Sequence, residues 1–233
     1  MNRLIKLAKN PQMIVSWFWN YLALKTRETR VWKDRGGRIA QKQYRSYDDY
    51  LTHQKSKLRT VQNTWLVQYD DKYQKVLSLR LQRLKLEPGQ SVLCLAARMG
   101  TEVKAFRDLR EFAVGVDINP GKDNQFVLYG DFHKLSFANS SVDIIFTNSL
   151  DHVHDIKAFL KEIFRVLKTD GKLILELGFG ASEGGKPGYY ESFYWQKIDD
   201  MVTLFKGAGF RLQSTIMFDY PWPGKQLLFS RSK

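Results

Sequence analysis

Three apolar runs in the middle of this chain end in residues suited to holding a nucleoside. Ser91-Val-Leu-Cys-Leu-Ala-Ala-Arg-Met-Gly-Thr-Glu102 reads as a strand, a tight turn and the start of a helix. About twenty residues on, Phe112-Ala-Val-Gly-Val-Asp117 reads as a strand ending in a carboxylate, the spacing at which an acid meets ribose hydroxyls. A third run, Phe126-Val-Leu-Tyr-Gly-Asp131-Phe132, ends in a carboxylate beside an aromatic. In open α/β sheets ligands bind outside the carboxyl ends of the strands, so this order points to a nucleoside cofactor.

The elements that must position these residues alternate regularly. Strands are expected at 91–95, 112–117, 126–129, 142–147 and 172–177, with helices at about 101–109, 155–167 and 194–206. Two closing strands follow at 211–218 and 226–230; the short link from Asp219 to Lys225 makes them antiparallel. Strands separated by helices mean βαβ units. The expected fold is therefore α/β, a Rossmann-like, doubly wound, seven-stranded, mostly parallel sheet with an antiparallel last strand. A helical N-terminal extension precedes it: residues 1–86 form the basic extension and residues 87–233 the nucleoside-binding domain. Within the extension, 1–35 read as helix, Gly36-Gly37 as a break, and 40–86 as helix again, with Tyr44, Tyr47, Tyr50 and Leu51 at helical steps.

Of the net +13 charge, residues 1–90 carry +12, from 19 Lys+Arg against 7 Asp+Glu, and the remainder is nearly neutral. Such asymmetry suits an anionic partner (nucleic acid, anionic lipid or an anionic substrate) or simply a solvated face. The apolar stretch Met13–Leu24 is too short to span a bilayer. It reads as packing on its own domain, on a second copy in a homodimer, or on a membrane surface, and the default localisation is cytoplasmic. The single cysteine, Cys94, rules out an intramolecular disulfide and reads as a small buried residue. His53, His133, His152 and His154 show no metal-binding spacing, so no structural metal is expected.

Residues 88–230 resemble the class I S-adenosylmethionine-dependent methyltransferases, especially the type 11 group. The resemblance rests on Val92–Gly100, Gly115-Val-Asp117, Gly130-Asp131-Phe132 with Leu135-Ser-Phe137, Ser141–Ser149 and Phe164–Leu173. It implies S-adenosyl-L-methionine as cofactor, held by Ala96, Arg98, Gly100, Glu102, Asp117, Ile118, Asp131, Phe132 and Asn148. Asp117 would take the ribose hydroxyls, and Asp131 with Phe132 the adenine. The first motif departs from the family's acid and Gly-x-Gly-x-Gly, with Cys94 at the acid position and Ala96, Arg98 and Gly100 at the glycines. Arg98 either pairs with the cofactor's carboxylate or faces solvent, and Glu102 either serves its ammonium or is a first-turn acid favoured by the helix dipole.

Methyl transfer needs alignment and, for a hydroxyl acceptor, a base. Asn148–Asp155 follows the fourth strand, so His152 is the preferred base, His154 the second, and Asp151 their partner; a polar helix start is the plainer reading. Glu176 is a weaker base, and Tyr189, Tyr190, Trp195 and Trp222 are candidates for the acceptor pocket. The expected activity is methyl transfer to a small-molecule, sugar (glycan) or lipid-linked acceptor, with O-methylation favoured. An RNA methyltransferase using the basic N-terminal region, or a non-catalytic methyltransferase-fold scaffold, are the alternatives. The absent Gly-x-Gly-x-x-Gly fingerprint speaks against a nicotinamide dehydrogenase.

Overall fold

The computed structural model describes residues 31–61 and 65–232. Seven strands form the main sheet: β3 (Ser91–Leu95), β4 (Phe112–Asp117), β5 (Val127–Tyr129), β6 (Val142–Thr147), β7 (Leu167–Gly178), β9 (Phe210–Phe218) and β10 (Gly224–Arg231). Their order is β5-β4-β3-β6-β7-β10-β9. From β5 through β7 neighbours are parallel, while β10 runs antiparallel to both β7 and β9. The Rossmann-like sheet expected from the sequence is present, antiparallel end included. The order reverses between β3 and β6, the switch point where the carboxyl ends diverge and leave a crevice.

Period-two patterning divides the core. Leu93, Leu95, Ile145, Leu173 and Leu175 face one side, packed by α4 (Ile156–Val166) and α5 (Ile198–Gly207). Val92, Cys94, Ile144, Phe146 and Ile174 face the other, packed by α3 (Thr101–Asp108) and α2 (Trp65–Gln82). Tyr73, Leu77 and Leu81 of α2 are fully buried there. At about 1.5–3 kcal/mol for each large apolar side chain, they bind the N-terminal segment firmly to the sheet. Cys94 is buried, as its place in the first strand implies.

Several boundaries differ from the expectation. Trp32–Arg35 is β1, not the end of a helix, and Ile39–Lys42 is β2, antiparallel to it. Gly36 and Gly37 both have left-handed φ, 77° and 72°, and Asp34 Oδ1 accepts from Gly37 N–H, so the chain folds back. The expected 40–86 helix thus begins as a strand and continues as α1 (Tyr47–Val61) and α2. The expected helix at 1–30, with its aromatic stretch, and residues 62–64 lie outside the described residues. Phe193–Trp195, expected to open a helix, is β8, an aromatic strand that pairs with β2 in a three-stranded sheet. The helix starts at Ile198, where Asp200 Oδ2 accepts from Lys197 N–H. The Thr169–Gly171 turn lies inside β7 as a bulge, because Val142 faces Leu167 but Ile144 faces Lys172.

One buried ion pair locks α2 to the sheet. Arg80 Nε and Nη2 donate to Glu176 Oε1 and Oε2 at 2.6 and 2.9 Å, with side chains 5% and 0% exposed. Removing one partner strands the other. Arg80→Met should cost about 3–5 kcal/mol by urea denaturation at neutral pH. A loss below about 1 kcal/mol would show that Glu176 is held well enough by Tyr73 and Gln226 alone.

Candidate functional site

A cavity of about 1180 Å³ opens at the switch point. Its floor is the loop after β3 and the ends of β4, β6 and β7; its roof is α1 and the segment from Phe179 to Trp195. Of the residues expected at the cofactor, Ala96, Arg98, Glu102, Asp117, Ile118, Phe132 and Asn148 line it together, joined by Asp151 and His152.

The loop after β3 explains the departures from the glycine motif. Ala96 and Arg98 take left-handed φ of 55° and 36°, and Gly100 takes 80°. The backbone thus keeps the conformation glycines would permit, at roughly 1–2 kcal/mol for each non-glycine residue. Hydrogen bonds offset this cost. Ala97 N–H donates to Val116 O at 3.2 Å, Arg98 N–H to Asp117 Oδ2 at 3.0 Å, and Asn124 Nδ2 to Arg98 O at 2.9 Å. Gly100 stands outside the cavity wall; a Cβ there would come 2.7 Å from Phe126 Cβ, so it is needed for packing. Asp117 also accepts Asn119 N–H at 2.7 Å on Oδ1, which leaves each oxygen a further lone pair. Burial raises its pKa, against the two backbone bonds.

Glu102 is buried and pushed up to about 7 by loss of solvent. Asn148 Nδ2 donates to it at 2.9 Å and to Tyr73 Oη at 2.8 Å, and Tyr73 in turn donates to Glu176 Oε2. Glu176, weighed as a base, spends its oxygens on Arg80, Tyr73 and Gln226 and acts as a structural anchor.

Asp131 and His154, expected at the site, are not among the residues that line the cavity and are engaged elsewhere. Asp131 accepts from Tyr47 Oη of α1 and, at 2.8 and 2.9 Å, from the N–H and Nδ1 of His133. Burial alone would raise its pKa, but these bonds outweigh it and hold the carboxylate below its ordinary range. His154 is stacked on Tyr50 with ring centroids 4.9 Å apart, and burial holds its pKa low. Its ring belongs to an aromatic cluster with Tyr44, Tyr47 and His133, which seats α1 on the sheet.

His152 is in the wall but is poorly disposed as a base. Its Nδ1 lies 3.0 Å from Tyr190 O, which can only accept, so Nδ1 carries the proton. Its Nε2 then takes the 2.8 Å bond from Lys57 Nζ. Burial, with Lys57 beside it, drives its pKa well below the usual imidazole value. Asp151 Oδ1 lies 3.9 Å from His152 Nε2 and is buried without a hydrogen-bond partner. Burial first, and Glu191 second, push its pKa to about 7.

Sequence reasoning missed the roof. Tyr50, Gln54 and Lys57 lie one helical turn apart and line the cavity from α1, joined by Asp70 of α2 and by Glu191. The spacing was visible in the sequence, but Lys57 read as one charge among many on a basic segment. Trp195 and Trp222 line the cavity as expected. Tyr189 and Tyr190 instead pack against His53, at 4.8 and 5.2 Å between rings.

Residues 93–175 match the family described as "Methyltransferase domain". That stretch of the chain is similar to the class I S-adenosylmethionine-dependent methyltransferases. Among relatives of this chain, demethylmenaquinone methyltransferase of Corynebacterium glutamicum is 36% identical over 99 residues, covering 40% of this chain and 43% of the relative. The Corynebacterium efficiens protein of the same name is 32% identical over the same length. The chain thus spans less than half the length of these curated relatives. In fold it resembles 1,6-didemethyltoxoflavin-N1-methyltransferase of Burkholderia thailandensis, solved with 1,6-didemethyltoxoflavin and S-adenosylhomocysteine, with a TM-score of 0.63, 14% identity, and coverage of 86% of this chain and 98% of that one. A SAM-dependent methyltransferase from Aquifex aeolicus gives a TM-score of 0.59 at 16% identity, covering 76% and 98%.

The Tyr47 bond to Asp131 is what pins the start of α1 over the cavity. Tyr47→Phe should cost about 1 kcal/mol and speed amide hydrogen exchange selectively in α1. Unchanged exchange in α1 would mean that the aromatic cluster alone holds the roof.

Proposed function

We propose that this chain transfers the methyl group of S-adenosylmethionine to a small-molecule acceptor held under α1, with O-methylation as the reaction. The observation that carries this reading is the position of Asp117, a carboxylate fixed by two backbone N–H groups at the cavity wall with spare acceptor capacity for a pair of ribose hydroxyls. Ile118 and Phe132 would flank the adenine, Glu102 would meet the cofactor's ammonium, and Arg98 its carboxylate. S-adenosylmethionine supplies an electrophilic methyl group when bound.

Beyond the cofactor, Phe179, Tyr194, Trp195 and Trp222 offer a largely apolar wall for the acceptor. A roofed, aromatic-lined cavity suits a compact acceptor with flat apolar surface. A small-molecule acceptor is also supported by the names of the corynebacterial relatives and by the ligand of the Burkholderia enzyme. Among the described residues no helix is long and apolar enough to cross a membrane.

The proton-handling group in this reading is Asp151, with His152 orienting. An acceptor hydroxyl gives its proton to the Asp151 carboxylate, which is poised near neutrality by burial. His152, fixed as the Nδ1–H tautomer, holds Lys57 in place. Because Asp151 must be ionised to act, kcat/KM should rise with pH through about 7. Asp151→Asn should remove that limb and lower kcat about 10²–10⁴-fold. Transfer of a labelled methyl group to a panel of phenols, enols and hydroxylated rings measures both. A full-rate Asp151→Asn enzyme with the same pH profile would exclude Asp151 as the base.

A further inference from the structure

Lys57 is out of place for a lysine. It comes from α1, outside the stretch that matches the methyltransferase family, yet its ammonium is inserted into the cavity wall. Among the described residues its Nζ donates to His152 Nε2 at 2.8 Å, sits 5.9 Å from the Tyr190 ring centre and pairs with no carboxylate. His152 is neutral, since Nδ1 donates to a carbonyl and Nε2 accepts from Lys57. A cation taken out of water against a neutral partner is costly, and it is normally found opposite an anion. Burial indeed lowers the pKa of Lys57. The charged groups that act on it are Asp151 from the turn Leu150–His152 after β6, Glu191 from the roof, Arg98 from the loop after β3, and Asp117 from β4. Asp151 and Glu191 are themselves raised by burial, and each has a buried oxygen without a hydrogen-bond partner. The cluster is therefore short of one anion beside Lys57 and of hydrogen-bond donors beside the two acids.

We propose that Lys57 seats the negative charge of the acceptor, and that the acceptor is a compound with an acidic hydroxyl, a phenol or an enol, held as its oxygen anion. This rests on the reading above that the cavity binds cofactor and acceptor together. The acceptor hydroxyl meets both deficits at once. Its O–H bond breaks, the proton forms the new O–H bond of the Asp151 carboxyl, and the electron pair stays on the acceptor oxygen opposite the Lys57 ammonium. His152 behind Lys57 keeps the ammonium aimed at that oxygen. Aliphatic alcohols, whose anions are far less stable, would bind in this cavity as neutral molecules and react poorly.

The probe is 4-nitrophenol, whose phenolate absorbs in the visible and whose phenol does not. It is titrated with pH on full-length protein saturated with S-adenosylhomocysteine, in the wild type, Lys57→Met and Lys57→Arg, with S-adenosylhomocysteine binding and the unfolding temperature of each measured separately. On the wild type the bound probe should ionise about one pH unit lower than in free solution, a tenfold shift in its ionisation constant. Lys57→Arg should keep most of that shift, and Lys57→Met should lose it while still binding S-adenosylhomocysteine. Equal ionisation on wild type and Lys57→Met, or a probe that the wild type does not bind, overturns the role of Lys57. Failure of the wild type to bind S-adenosylhomocysteine instead removes the reading on which it rests, and this proposal with it.

Discussion

The tie between Asp117 and the backbone of Arg98 is the constraint on which the rest of the site depends. It joins the end of β4 to the loop after β3, which borders the crevice at the switch point. That loop runs through left-handed conformations at Ala96 and Arg98, which side-chain-bearing residues enter only when something holds them there. The carboxylate supplies that hold and at the same time faces the cavity. A substitution at Asp117 therefore removes a ligand-facing acceptor and releases a strained loop together, so binding and local order fail as one.

The second determinant is the roof. Parallel sheets bury both faces under helices, but their carboxyl ends are left to loops. Here a helix from before the sheet crosses that end, pinned by Tyr47 on Asp131, by the stacking of Tyr50 on His154, and by the Tyr50 hydroxyl on the carbonyl of His152. Once seated, the face that carries Tyr50, Gln54 and Lys57 becomes cavity wall. Gln54 donates to the carbonyl of Tyr190 and to Ser192, so α1 and the glycine-rich segment after β7 close the site as one unit. The polar cluster of Lys57, Asp151, His152 and Glu191 exists only because α1, the turn after β6 and the segment after β7, far apart in sequence, meet there.

This separation explains what could be read from the sequence. The sheet was legible because its signals are local: strands with period-two or continuous apolar runs, turns with glycine, and an acid at a fixed offset from the first loop. Asp117 and Phe132 were legible for the same reason. The hairpin of β1 and β2 was not, since its aromatic and basic residues suit a helix equally well and β2 gains its second partner from β8, some 150 residues away. His154 and Asp131 have the right types at the right distance from strand ends, but α1 claims them first, and nothing near them in sequence announces it. Lys57 was hidden in a run of basic residues whose surplus charge suited an anionic partner and a solvated face alike.

The central claim is that the roofed cavity at the switch point binds S-adenosylmethionine through Asp117 despite the missing glycines. Calorimetric titration of the purified protein with S-adenosylhomocysteine, alongside Asp117→Ala and with NAD as a control ligand, tests it directly. The account predicts micromolar, one-to-one binding by the wild type, at least a hundredfold weaker binding by Asp117→Ala, about 2.7 kcal/mol or more, and none of NAD. A folded wild type that takes up no S-adenosylhomocysteine, or an Asp117→Ala protein that binds it as tightly, would contradict it.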